Sequence, residues 1–145
     1  MDTEFAFYES LKKIVACIDY GDRQLLHRYS LTVPRYFVLK HIHENPGISL
    51  TALSSLMFID KSNTTRLINS IKEEGLVQRL RSESDHRTYC LYLSELGQEL
   101  FLRASAAHNQ YIQDRFSDID MDVEVLINHL EALLRSLERE CEREK

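Results

Sequence analysis

A chain of 145 residues with 43% hydrophobic and 28% charged residues and a net charge of −5 has the composition of an ordinary globular protein. It is long enough for one domain with a real core, or for two small lobes sharing one. No apolar run approaches the roughly 20 residues that span a bilayer, and the acidic start "MDTEFAFYES" lacks the basic flank of an export signal, so a cytoplasmic chain without a membrane partner is expected.

From Phe5 the apolar positions Tyr8, Leu11, Val15 and Ile18 keep a helical period, and after a candidate interruption at Gly21 the residues Leu25, Leu26 and Tyr29 resume it. The stretch "LTVPRYFVLKHIHENPG" reads as a second helix: Thr32 caps it, Pro34 suits its first turn, and Pro46 with Gly47 stops it. "SLTALSSLM" is a short third helix with Leu50, Leu53 and Leu56 on its inner side. Asp60 caps a fourth helix that runs to about Glu74, where Gly75 supplies the stop. Thr64, Leu67, Ile68 and Ile71 share one face of that helix; Ser62, Thr65, Arg66 and Asn69 share another. Then "LVQRL" and "TYCLYL" carry strand formers around the turn-rich "RSESDHR", a hairpin in which Cys90 faces the core. Two long helices follow. One runs from Ser94 through Leu100, Ala104, Ala107 and Tyr111, and one from about Asp120 with Val123, Leu126, Leu130, Leu133, Leu137 and Cys141 in near-heptad spacing.

Two short helices joined by a tight turn, followed by a strand pair, make a helix-turn-helix with a wing. Between Lys61 and Arg87 six basic and four acidic residues give a net +2, a basic island in a chain of net −5. The field that matters for binding phosphate is local, within a Debye length of roughly 8–10 Å. The polar face of the fourth helix offers short hydroxyl and amide side chains that reach base edges without filling a major groove. Its N-terminus, with Lys61 and Ser62, directs a positive helix dipole toward phosphate. Asp85 and Arg87 lie two apart near the end of the hairpin tip, where a carboxylate can hold a guanidinium in one orientation.

The segment "LTALSSLMFIDKSNTTRLINSIKEEGLVQRLRSESDHRTYCLYLSELGQEL" resembles the winged helix-turn-helix of the MarR family of transcription regulators, over roughly residues 31–102. Four motifs carry the resemblance: "DKSNTTRLI" for the recognition helix, "EEGLVQR" for the helix-to-strand junction, "DHR" for the wing, and "LSELG" entering the next helix. It implies a mainly α fold, a winged helix-turn-helix with a two-stranded β-wing in residues 31–93. Residues 1–30 and 94–145 would supply the helices of a dimerisation region. It further implies a homodimer on a pseudo-palindromic double-stranded operator, commonly a repressor released by a small molecule or an oxidant. Carried onto this sequence, Arg87 is the minor-groove residue and Asp85 its positioner. Lys61, Arg66, Arg79 and Arg81 contact phosphate, while Ser62, Asn63, Thr65, Arg66 and Asn69 lie on the major-groove face.

Other constellations point less far. Three widely spaced cysteines, Cys17, Cys90 and Cys141, form no CxxC pair, against a disulfide framework or a Cys-rich zinc site. Some relatives sense peroxides through a cysteine near the first helix, which makes Cys17 a candidate redox residue. No Lys, Arg or His in its own turn activates it, so a buried structural thiol is the competing expectation. His41 and His43 are two apart on a helix and point to different sides; His108 could approach His41, but no further ligand accompanies them, so no metal and no cofactor are expected. In many relatives an effector binds near the first and second helices, where Tyr29, Arg35 and Tyr36 would suit a small aromatic carboxylate. No Gly-rich phosphate loop, GxSxG or HExxH is present, so no enzyme is expected. The rival from a different class is a winged-helix module that binds protein rather than DNA.

Overall fold

The computed structural model describes residues 2–143 of the chain. In chain order it comprises α1 (Thr3–His27), α2 (Val33–Glu44), β1 (Ile48–Ser49), α3 (Leu50–Met57), α4 (Lys61–Glu73), β2 (Val77–Arg81), β3 (Tyr89–Leu93), α5 (Glu95–Phe116) and α6 (Val123–Arg143). The chain divides into two compact units, the first ending at Gln110 and the second starting at Tyr111, within α5. No helix among the described residues is long and apolar enough to cross a membrane.

Gly21 does not interrupt α1, because a single glycine costs about 1 kcal/mol against a helix of 25 residues. Three helices end in the same hydrogen-bond pattern. At the end of α1, Leu31 N–H donates to Leu26 O and Ser30 N–H to His27 O. At α3 the pairs are Ile59 to Ser54 and Phe58 to Ser55; at α4, Leu76 to Ile71 and Gly75 to Lys72. Each pattern needs one residue in the left-handed region. Ser30, Phe58 and Gly75 fill that position with φ of 55°, 54° and 77°, so only α4 uses the residue that adopts it without strain.

The sheet is antiparallel with order β1-β3-β2. The expected hairpin is present, and β1 adds a third strand by pairing Ile48 with Leu91 and Ser49 with Cys90. The core gathers Leu26, Tyr36, Leu39, Ile42, Leu53, Ile68, Ile71, Leu91 and Phe101 from α1 to α5. Gly97, Phe101, Ala104 and His108, spaced by four, three and four, make the buried edge of α5. On α6 every residue that the structure describes remains at least partly exposed.

The "LSELG" motif has a packing reason. Ser94 N–H donates to Leu76 O at 3.0 Å, its hydroxyl donates to Gly75 O at 2.5 Å, and it caps α5 by accepting Gly97 N–H at 3.0 Å. A Cβ on Gly97 would lie 2.0 Å from Leu76 O, so a side chain there is excluded.

Several expectations need correction. Leu56 is exposed rather than inward, because it borders an open groove beside α2 and α4. Cys90 lies on the opposite face of β3 from buried Leu91 and is half-buried, not a core residue. Cys17 is exposed on α1 rather than a buried structural thiol.

Candidate nucleic-acid interface

The helix-turn-helix is fixed by local polar contacts. Ser49 caps α3 by accepting Ala52 N–H at 3.1 Å. In the buried seam between α3 and α4, Ser54 Oγ lies 2.9 Å from Thr64 Oγ1, and the Thr64 hydroxyl donates to Asp60 O at 2.9 Å. Buried hydrogen bonds of this kind contribute about 0.5–1.5 kcal/mol each and fix the angle between the two helices.

Asp60 caps α4 as expected: Oδ1 accepts Asn63 N–H at 2.8 Å, and Oδ2 accepts from the Asn63 side-chain amide at 2.7 Å. Its carboxylate therefore sits at the helix end whose dipole was expected to face phosphate, and offsets that dipole; the neighbouring Lys61 supplies the positive charge there. Thr64, Ile68 and Ile71 are buried with Leu67 half-buried, while Lys61, Ser62, Asn63, Arg66 and Asn69 are exposed and Thr65 half-buried. The Thr65 hydroxyl donates to Lys61 O at 2.8 Å, so it is turned onto its own helix. Among the described residues the side chains of Lys61, Ser62, Arg66 and Asn69 make no hydrogen bond or ion pair, and they present donors and positive charge outward.

The wing tip is a self-bonded turn. Ser82 N–H donates to Thr88 O at 3.0 Å, and Thr88 donates to Asp85 O from its N–H and its hydroxyl at 3.1 and 3.0 Å. Asp85 Oδ1 accepts the backbone N–H of Arg87 at 3.0 Å. The carboxylate thus holds the main chain of the tip and not the Arg87 guanidinium. Behind the tip, the Arg81 guanidinium donates to His86 O at 3.1 Å. The Arg79 and Arg81 guanidinium carbons lie 4.0 and 5.5 Å from the centroid of the Tyr89 ring.

Tyr29, Arg35 and Tyr36 are each engaged within the fold. Tyr36 is 1% exposed, with its ring against Phe37, Phe101 and His108. Burial, and after it the negative charges of Asp22 and Glu44, pushes its phenol up to about 12. Arg35 reaches α4, donating to Ser70 Oγ at 2.6 Å and pairing with Glu74 at 2.7 Å, which ties the start of α2 to the end of α4. Tyr29 packs against the core. A separate groove of about 680 Å³ opens between α2, the end of α3 and α4, walled by Val33, Phe37, Leu56, Met57, Ile59 and Leu67. Lys40 and His41 also line it. Partial burial, then the nearby Lys40, lowers the His41 pKa, so the imidazole is neutral near pH 7. Lys40 in turn bonds Glu44 at 2.6 Å and holds that carboxyl below its usual range.

His108 does not meet His41. Its Nε2 lies 2.9 Å from Asp22 Oδ1, a buried bond in which the imidazole N–H donates to the carboxylate. His43 Nδ1 contacts Gln98 Oε1 at 3.0 Å. No three potential metal ligands cluster among the described residues. The Asp22–His108 bond, the Arg35 link and the groove went unread in the sequence. Only Asp22 left a trace: an acidic residue four before buried Leu26, on an inward helix face, demands a polar partner.

A family model described as the MarR family matches residues 31–89. A putative transcriptional regulatory protein for the hcr operon of Thauera aromatica is 31% identical over 138 residues, covering 93% of this chain and 81% of that one. Among solved structures, a MarR protein from Peptoclostridium difficile DA00132 superposes with a TM-score of 0.87 at 23% identity, covering 100% of this chain and 94% of that one. CouR from Rhodococcus jostii RHA1, bound to p-coumaroyl-CoA, has the same fold with a TM-score of 0.77 at 24% identity over 88% of each chain.

Proposed function

The chain belongs to the MarR family of transcriptional regulators, and from that membership we propose that it is a homodimeric, cytoplasmic repressor that binds a pseudo-palindromic DNA operator. The observation that carries the reading is the outward face of α4, where Lys61, Ser62, Arg66 and Asn69 stand unengaged beside a hairpin bearing Arg79, Arg81 and Arg87. In this reading Arg66, Ser62 and Asn69 read base edges in the major groove, with Asn63 and Thr65 shaping the border of that face. Lys61, Arg79 and Arg81 contact phosphate, and Arg87 enters the minor groove at the end of a tip that Asp85 holds in shape.

Residues 1–30 and 94–145 form the dimerisation region in this proposal. Phe5, Tyr8, Val15 and Ile18 on α1, and Val123, Leu126, Leu130 and Leu137 on α6, are all exposed large apolar side chains, more than a monomer keeps in water. A second copy is the partner that would cover them. Two-fold symmetry then sets the operator half-sites about one helical turn, roughly 10 base pairs, apart.

We assign release to a small aromatic acid in the groove beside His41 and Lys40, instead of among Tyr29, Arg35 and Tyr36. Its apolar walls suit a ring, and the Lys40 ammonium meets a carboxylate by exchanging its 2.6 Å bond to Glu44 for it. The test is selection of bound duplexes from a random DNA pool, followed by isotherms at several salt concentrations. A steep salt dependence with phased half-sites is expected. A protein that enriches no sequence and binds DNA without salt dependence refutes the reading and favours a protein-binding module.

A further inference from the structure

We propose that Tyr89 is a positioning residue for DNA binding, its ring holding the Arg79 and Arg81 guanidinium groups ready for the phosphate backbone. The inference rests on the DNA-binding reading above. It starts from strand register. Arg81 stands opposite Tyr89 and Arg79 opposite Leu91, so residues 79, 81, 89 and 91 share one face of the hairpin. The inner part of that face, Val77 and Leu91, is core; the outer part carries Arg79, Tyr89 and Arg81, beyond the residues that build the core. Both guanidinium groups lie over the same ring, at 4.0 and 5.5 Å.

The chemistry of the support matters. A carboxylate would also fix an arginine, but it would neutralise it and occupy its donors. Glu83 and Asp85 are near in sequence, yet among the described residues neither pairs with Arg79 or Arg81. An aromatic face attracts the cation through the ring quadrupole and leaves its positive charge uncompensated, with the N–H groups free to bond phosphate. Arg81 spends one donor on His86 O and keeps the others. Each long side chain ordered before binding removes an entropic cost from the complex. Arg87 has no such support, since Asp85 fixes only its backbone. The wing therefore has a rigid cationic stem and a tip whose arginine is free to search.

The test compares wild type with Tyr89→Leu, which removes the ring, and Tyr89→Phe, which keeps it. Binding to a duplex recovered from a random pool by the wild-type protein is measured across salt concentrations, with thermal melts to verify folding. Tyr89→Leu is expected to weaken binding about tenfold, because two long side chains that the ring had ordered must then be ordered on binding. Its salt slope should match wild type, because both arginines still reach phosphate in the complex. Tyr89→Phe should stay within about twofold of wild type. In an Arg79→Ala/Arg81→Ala background, Tyr89→Leu should have no further effect.

A Tyr89→Leu variant that binds like wild type overturns the positioning role. So does an equal loss in the double-alanine background, or a slope reduced by about two counterions, which would mean that the wing is lost and not merely loosened. Proton NMR of the free protein tests the support itself: the Arg79 side-chain methylenes should carry an upfield ring-current shift that Tyr89→Leu abolishes, and its absence in wild type overturns the inference without touching the function. A wild type that binds no DNA overturns both together.

Discussion

Replacing Asp85 separates two ways in which a carboxylate could serve the wing. Had it held the Arg87 guanidinium, charge would be essential; holding the Arg87 N–H at 3.0 Å requires only an acceptor of the right length. Asp85→Asn retains an oxygen at that position and removes the charge, whereas Asp85→Ala removes both. The lost turn bond in the alanine variant costs about 0.5–1.5 kcal/mol of tip order. Against that, removing a negative charge about 8 Å from a phosphate in water gains about 0.5 kcal/mol before screening. Asp85→Ala is therefore expected to bind its operator up to about fivefold more weakly than wild type. Asp85→Asn should bind as well or about twofold more tightly. The measurement is fluorescence anisotropy at one fixed salt concentration, with melts confirming that each variant is folded. If Asp85→Asn loses as much affinity as Asp85→Ala, the charge itself is needed and backbone support is the wrong account. If Asp85→Ala binds more tightly than wild type, the turn has no positioning role.

Gly97→Ala places a methyl 2.0 Å from Leu76 O and must displace the junction that three Ser94 hydrogen bonds hold, so a loss of about 3–6 kcal/mol is expected in chemical denaturation. A loss below about 1 kcal/mol would show that the junction yields easily. Tyr36 holds its proton up to about 12 when folded and to about 10 when unfolded, so stability is intact below pH 10 and falls by about 2–3 kcal/mol as pH rises through 12. Tyr36→Phe should flatten that part of the alkaline stability curve, and an unchanged alkaline slope would contradict it. Leu130→Glu is expected to convert a wild-type dimer at micromolar concentration to monomer in sedimentation, since a buried carboxylate costs several kcal/mol. A wild type that already sediments as a monomer refutes the proposed assembly.

The helix α4 was legible because independent local signals agree there. Asp60 caps it, Gly75 ends it, and the inward positions 64, 67, 68 and 71 leave one face for solvent. β1 was not legible: two residues give no alternation, and Ile48 and Ser49 become a strand only because Leu91 and Cys90 are there to pair with them. Leu56 fitted a helical period, but the period ends with the helix, and the side chain became a groove wall. Arg35 looked like a cation for a ligand because its partner Ser70 lies 35 residues on, a separation that no local pattern reports. In the wing, "DHR" drew attention to Asp85 and Arg87, while the atom that Asp85 engages depended on the shape of the turn. Local capping and periodicity are written in neighbouring residues; contacts across the fold are not.

The buried bond between Asp22 and His108 also limits how this sequence could have changed over time. Either substitution alone removes one end of a bond between two buried polar groups, a loss of about 1–3 kcal/mol. Exchanging both for apolar residues of similar size would cost far less. A lineage can therefore leave this pairing only by crossing a stretch of less stable intermediates, or by changing both codons in close succession. Among descendants of a common ancestor, positions 22 and 108 should vary as a unit, and a collection in which each varies independently of the other would mean that some third group takes over when one is lost.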